Sequence, residues 1–119
     1  MRLWHYKLIE VLPNKMLVAQ WRECIAIKRQ IEKETLKHRL VSYVLNYDGI
    51  VFYDYVLQVI YEMKRRKLKY KESLLREIAD FCCDNPEDNI LSYPEHNNRY
   101  LKQCYYNLQE KYDRRNYYR

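Results

Sequence analysis

One glycine and three prolines in 119 residues leave this chain few places to turn sharply. An all-β fold needs a turn roughly every 8 to 12 residues, and such turns draw heavily on glycine and proline. Helices are therefore the default. With 48% hydrophobic residues and 14 tyrosines the chain has the apolar material for a core, which argues against a disordered or linker-rich protein. The length suits one core and not two. The expected fold class is all-α: a single compact domain over 1–119, built of about four helices with an anchored N-terminal segment.

Four helical patterns are legible. The first begins at Asn14, read as an N-cap after Pro13, carries Leu17, Trp21, Cys24, Ile27 and Ile31 on one face, and ends near Lys33. A mixed stretch, LKHRLVSYVLNYDG, then closes on an Asp48–Gly49 turn that can cap the next helix. The second helix shows the stripe Phe52, Val56, Val59, Ile60 and Met63. Leu74, Leu75, Ile78 and Cys82 mark a shorter third, stopped by the turn DNPEDN. The fourth has a capping box, Ser92 with Glu95, and Pro94 in the first turn; its buried face is Leu101, Cys104, Tyr105, Leu108 and Tyr112. Residues 110–119 read as a basic aromatic tail. No repeats or low-complexity segments are present.

The opening MRLWH is apolar and aromatic at positions 3 and 4, which predicts a terminus folded into the body, its α-amine held at a fixed spot. An α-amine has a pKa of about 7.7 to 8, so roughly a tenth is neutral and nucleophilic at pH 7. The Met1 amine is thus a ready Schiff-base former. Glu23 is the most informative carboxylate. At about 100° per residue it falls at the margin of the first helix's apolar stripe, with Met16 and Ile27 on one side and the small Ala19 and Ala26 on the other. Half-buried there, its pKa rises by desolvation unless Arg22 or another cation offsets the effect; a surface glutamate in an arginine-rich helix is the plainer reading.

A formal charge of +6 and a pI of about 9.1 point toward a polyanionic partner. Two patches carry it. Lys64, Arg65, Arg66, Lys67, Lys69 and Lys71, interleaved with Tyr70, have a phosphate-contacting composition. Arg114, Arg115, Tyr117, Tyr118 and Arg119 add rings able to stack on bases. A solvated helix end accounts for either patch equally well. The single glycine excludes phosphate-binding loops of the G-x-x-x-x-G-K and G-x-G-x-x-G kinds. His5, His38 and His96 lack zinc-ligand spacing, so no metal and no cofactor is called for, although a metal-dependent activity on these three stays open. His96, next to Glu95, is a candidate for hydrogen bonding into a site. The four cysteines, Cys24, Cys82, Cys83 and Cys104, have no C-x-x-C spacing and read as reduced thiols. With no signal-peptide pattern and no apolar run of roughly 18 residues, a cytoplasmic location without membrane contact is expected.

Several segments resemble a known family. MRLWH, the LI and LP that follow, QWREC, YPEHN and RYLKQCYYNL are similar, over nearly the whole chain, to a group of small bacterial proteins placed beside the pyrimidine-dimer DNA glycosylases, the endonuclease V-like family. A weaker likeness to the family's central enzyme rests on Leu17, Ala19, Trp21, Arg22 and Glu23, on FYD at 52–54, and on an arginine beside the terminus. The resemblance implies an all-α repair enzyme that attacks C1′ of the damaged nucleotide with a free N-terminal amine. Residue by residue, it makes Met1 the nucleophile and Glu23 the acid or base, with Arg2 and Arg22 on flanking phosphates.

The sequence departs from the family in three places. Arg2 is too large to favour removal of Met1, Ala26 stands where the family enzyme has a further arginine, and that enzyme's glycine-bearing middle segment has no clear match here.

The expected function is therefore a DNA glycosylase and abasic-site lyase working through an imine on damaged double-stranded DNA, with a monomer expected. Catalytic roles fall to Met1 and Glu23, and nucleic-acid contacts to Arg2, His5, Arg22, His96, Lys64, Arg65, Arg66, Arg114, Arg115 and Tyr117. Two other readings stay open: a non-catalytic nucleic-acid-binding domain on the same scaffold, and a protein-interaction module whose tyrosine-rich faces bury a partner.

Overall fold

The computed structural model describes residues 2–38, 40–46, 49–82 and 93–117, with residues 111–117 described by their backbone only. Four α-helices carry the fold: α1 (Asn14–Glu32), α2 (Gly49–Arg65), α3 (Glu72–Cys82) and α4 (Asn98–Tyr117). Two short 3-10 helices, Tyr6–Val11 and Ser42–Asn46, precede α1 and α2. No strand occurs among the described residues. The protein is all-α, as the scarcity of glycine requires.

Helix α2 is the centre. Its buried Phe52, Tyr55, Val56, Val59, Ile60 and Met63 meet Leu17, Trp21, Cys24 and Ile27 of α1, and Ile78 of α3 closes the other side. Full burial of an aliphatic or aromatic side chain contributes about 1.5 to 3 kcal/mol, so this apolar stripe is the main source of stability. The N-terminal 3-10 helix lies on α2 and touches α4, burying Leu8 and Ile9. Ahead of it Leu3 and Trp4 are buried, so the segment is anchored as the sequence indicates. The only glycine, Gly49, starts α2 where the chain meets the end of α3. A Cβ there would stand 3.0 Å from the carbonyl oxygen of Cys82.

Helix ends differ in detail from the sequence reading. Asn14 is the first residue of α1 and makes no side-chain cap; Pro13 holds the cap position. Helices α1 and α2 both end through a residue of positive φ, Glu34 (58°) and Lys67 (59°). Thr35 N–H donates to Gln30 O at 2.8 Å and Leu68 N–H to Met63 O at 2.8 Å, the hydrogen bonds of a Schellman ending.

Helix α4 starts later than the capping box indicates. Its cap is Asn97, whose Oδ1 accepts from Tyr100 N–H at 2.9 Å, and Pro94 and Glu95 form a turn before it. The cause is burial of Tyr93 and His96, which ties the YPEH segment to the core before a helix begins. His96 therefore lies ahead of α4 and not in its first turn. Tyr105, assigned to the buried face, is exposed; Cys104 is buried, and Leu101 and Leu108 half-buried. The α4 backbone runs through Tyr117, over most of the segment read as a tail. Tyr47–Asp48, residues 83–92 and the side chain of Tyr112 lie outside the described residues.

Candidate functional site

The polar centre of the molecule is a side-chain cradle around the backbone of residues 2–4. Gln20, on the core-facing stripe of α1 and 1% exposed, makes most of it. Its Oε1 accepts from Trp4 N–H at 2.9 Å, and its Nε2 donates to the Arg2 carbonyl, also at 2.9 Å. Tyr55 of α2 donates from its hydroxyl to the Trp4 carbonyl, and Tyr100 of α4 donates to the Leu3 carbonyl, each at 2.5 Å. Burial raises both phenols far above their ordinary pKa, so they remain protonated donors. Three helices thus hold one short non-helical segment whose polar groups helix bonding cannot satisfy.

Glu23 adjoins this cradle. Gln20 Nε2 also reaches Glu23 Oε2, at 3.3 Å, so one amide nitrogen contacts both the carbonyl of residue 2 and the carboxylate of residue 23. Glu23 is half-buried, as its wheel position indicates, while Ala19 beside it is exposed and Ala26 half-buried. Arg2 is half-buried with its guanidinium 5.0 Å above the Trp4 ring. Met1 lies outside the described residues.

His5 and His96 support the cradle from behind. Both are buried, their rings stacked 5.5 Å apart, and His96 lies 5.1 Å from the Tyr100 ring. His5 Nδ1 accepts from Lys7 N–H and caps the 3-10 helix. His96 Nε2 pairs with the Tyr43 hydroxyl at 2.7 Å, and its Nδ1 has no partner among the described residues. Burial lowers the pKa of both histidines, that of His96 to about 3, so both are neutral at neutral pH. Neither presents a cation at the surface. His38 is exposed and elsewhere, and no group of three metal-ligating side chains gathers among the described residues.

The basic residues divide by their partners. Arg22 is exposed and lines a shallow groove of about 390 Å³ with Asn14, Lys15 and Val18. Lys64 is exposed and lies 5.9 Å over the Tyr70 ring, which meets Trp21 edge-on at 6.2 Å, so the basic run adjoins the surface of α1. Arg65 and Arg66 both pair with the buried Glu62. Arg66 also donates to the carbonyls of Leu12 and Glu10 and to Asn14 Oδ1, tying the start of α1 to the end of α2. The side chains of Arg114, Arg115 and Tyr117 lie outside the described residues.

The structure therefore gathers Arg2, His5, Glu23 and His96 around the N-terminal segment and leaves Arg22 and Lys64 on the surface. Gln20, Tyr55 and Tyr100, which hold the backbone of residues 2–4, are residues that the sequence reading did not single out. Gln20 carried a signal, a polar side chain on an apolar helical stripe. Nothing distinguished Tyr55 and Tyr100 among fourteen tyrosines.

Cys24, Cys82 and Cys104 are buried in the core. No helix among the described residues is long and apolar enough to cross a membrane. Neither a curated protein nor a solved structure matches the chain. The sequence profile of the pyrimidine dimer DNA glycosylases matches residues 1–76, which include Arg2, Gln20, Glu23 and Tyr55. With most of its length inside that match, and its N-terminal segment held beside Glu23, the chain belongs to the pyrimidine dimer DNA glycosylase family.

Proposed function

We propose that the protein is a DNA repair glycosylase with abasic-site lyase activity, acting on damaged pyrimidines in double-stranded DNA through the amine of Met1. The observation that carries this reading is the shared Gln20 amide, which brings the residue next to Met1 and the Glu23 carboxylate onto one donor. In the first step the neutral amine bonds to C1′ as the glycosidic C–N bond breaks, the base leaving with the bonding pair and taking up the proton that the new secondary ammonium gives up. The nitrogen lone pair then forms a protonated imine as the C1′–O4′ bond opens, its electron pair going to O4′, which takes a proton from water. Glu23 removes a C2′ proton, now acidic, and the electron pair expels the 3′ phosphate. Arg2 and Arg22 hold flanking phosphates, and Lys64 extends the contact along the strand. The target nucleotide must leave the stack to be reached.

Borohydride trapping tests the reading. Duplex DNA with one abasic site should yield a covalent adduct mapped by mass spectrometry to the Met1 amine, and adding a residue ahead of Met1 should abolish it. Glu23→Gln should keep DNA affinity within about twofold yet lower strand cleavage at least a hundredfold. Absence of an adduct from protein with a verified free Met1 amine would sink the lyase reading. DNA affinity falling steeply with salt would then favour the non-catalytic binding domain.

A further inference from the structure

Tyr100 stands 97 residues from the backbone group it contacts, and in a part of the chain outside the 1–76 family match. Its hydroxyl donates to the carbonyl of Leu3, a fully buried residue. Its ring is held in turn. His96 packs 5.1 Å away and is fixed by the Tyr43 hydroxyl, while Asn97 caps the helix on the amide of Tyr100 itself. Gln20 and Tyr55 secure the carbonyls of residues 2 and 4. The carbonyl between them is held by α4.

We propose that Tyr100 is a positioning residue for the N-terminal amine, so that α4, beyond the family match, completes the reactive geometry. The inference rests on the reading of Met1 as nucleophile. An attacking atom must approach its target within a narrow distance and angle, and a displacement of about 1 Å can cost a hundredfold in rate. A terminus held from α1 and α2 alone can pivot about residue 3. The third anchor, from α4, removes that freedom.

Tyr100→Phe in the full chain tests the proposal, since it keeps the ring and removes the hydroxyl. Amide hydrogen exchange at residues 3–5 should quicken about tenfold with α1 and α2 core amides unchanged. At saturating abasic-site DNA the borohydride-trapping rate should fall at least tenfold, with DNA affinity within about twofold of the parent. Tyr106→Phe, on an exposed ring of the same helix, should change neither. Exchange that quickens throughout the core makes Tyr100 a structural residue and overturns the proposal. So does a variant that traps at the parent rate. A parent chain that forms no adduct overturns the catalytic reading instead; unchanged exchange at residues 3–5 then removes the anchoring role as well.

Discussion

Gln20 is an unusual residue to find in the core, because burying an amide is unfavourable unless both its ends are bonded. Here the Oε1 holds Trp4 N–H and the Nε2 holds the Arg2 carbonyl, so the burial is compensated. Gln20→Leu keeps the volume but strands both backbone groups. We expect a loss of about 2 to 3 kcal/mol, measured by urea denaturation; a change below about 0.5 kcal/mol would mean that water reaches the segment. At this scale the sequence was informative for Glu23, whose margin position on the wheel matches its half-burial, and for the anchored terminus. It was silent on which carbonyls needed donors. That depends on the path of a non-helical segment, and no periodicity describes one. The two histidines show the same limit from the other side: a buried, capping His5 and a surface His5 look alike in sequence.

Among the elements, α1 to α3 were legible because long amphipathic stripes dominate them, while the two 3-10 helices were too short to show a period. The start of α4 was misplaced because two signals competed within a few residues, and burial of Tyr93 and His96 decided in favour of Asn97. With its one glycine used where α2 meets α3, the chain ends α1 and α2 on Glu34 and Lys67 in the left-handed region. That conformation costs an L-residue about 1 to 2 kcal/mol, partly offset by the greater flexibility of an unfolded glycine. Glu34→Gly and Lys67→Gly should each stabilise by about 0.5 to 1 kcal/mol, raising the urea midpoint. The opposite sign is expected at Arg66. Arg66→Ala removes bonds to Glu10, Leu12 and Asn14 and half the pairing of Glu62, and should cost about 2 to 3 kcal/mol in the same assay.

The whole molecule carries a pH dependence set by its buried histidines. Burial lowers the pKa of His5 and lowers that of His96 to about 3, whereas an unfolded histidine titrates near 6.5. Below about 6.5 the unfolded chain takes up protons that the folded chain refuses, so stability is full above that pH and declines toward about 3. His96 contributes a slope of up to about 1.4 kcal/mol per pH unit, and His5 adds in the same direction. The depressed carboxyls of Glu62 and Glu77 add their own loss only as pH falls below the ordinary carboxylate value of 4.5, so points at about pH 5 and above isolate the histidines. Urea unfolding at pH 7.0, 6.0 and 5.0, taken as roughly spaced points across the window, should show the decline, and His96→Gln should flatten it; a flat profile for the parent would place both imidazoles in water. The chain's two tryptophans are both buried: Trp4 belongs to the N-terminal segment, with the Arg2 guanidinium over its ring, and Trp21 lies on α1 against Tyr70. Intrinsic fluorescence therefore watches the N-terminal segment through Trp4 and the start of the basic surface through Trp21. A shift in emission on adding an oligonucleotide would report occupancy there in real time, with no dye attached and no residue changed.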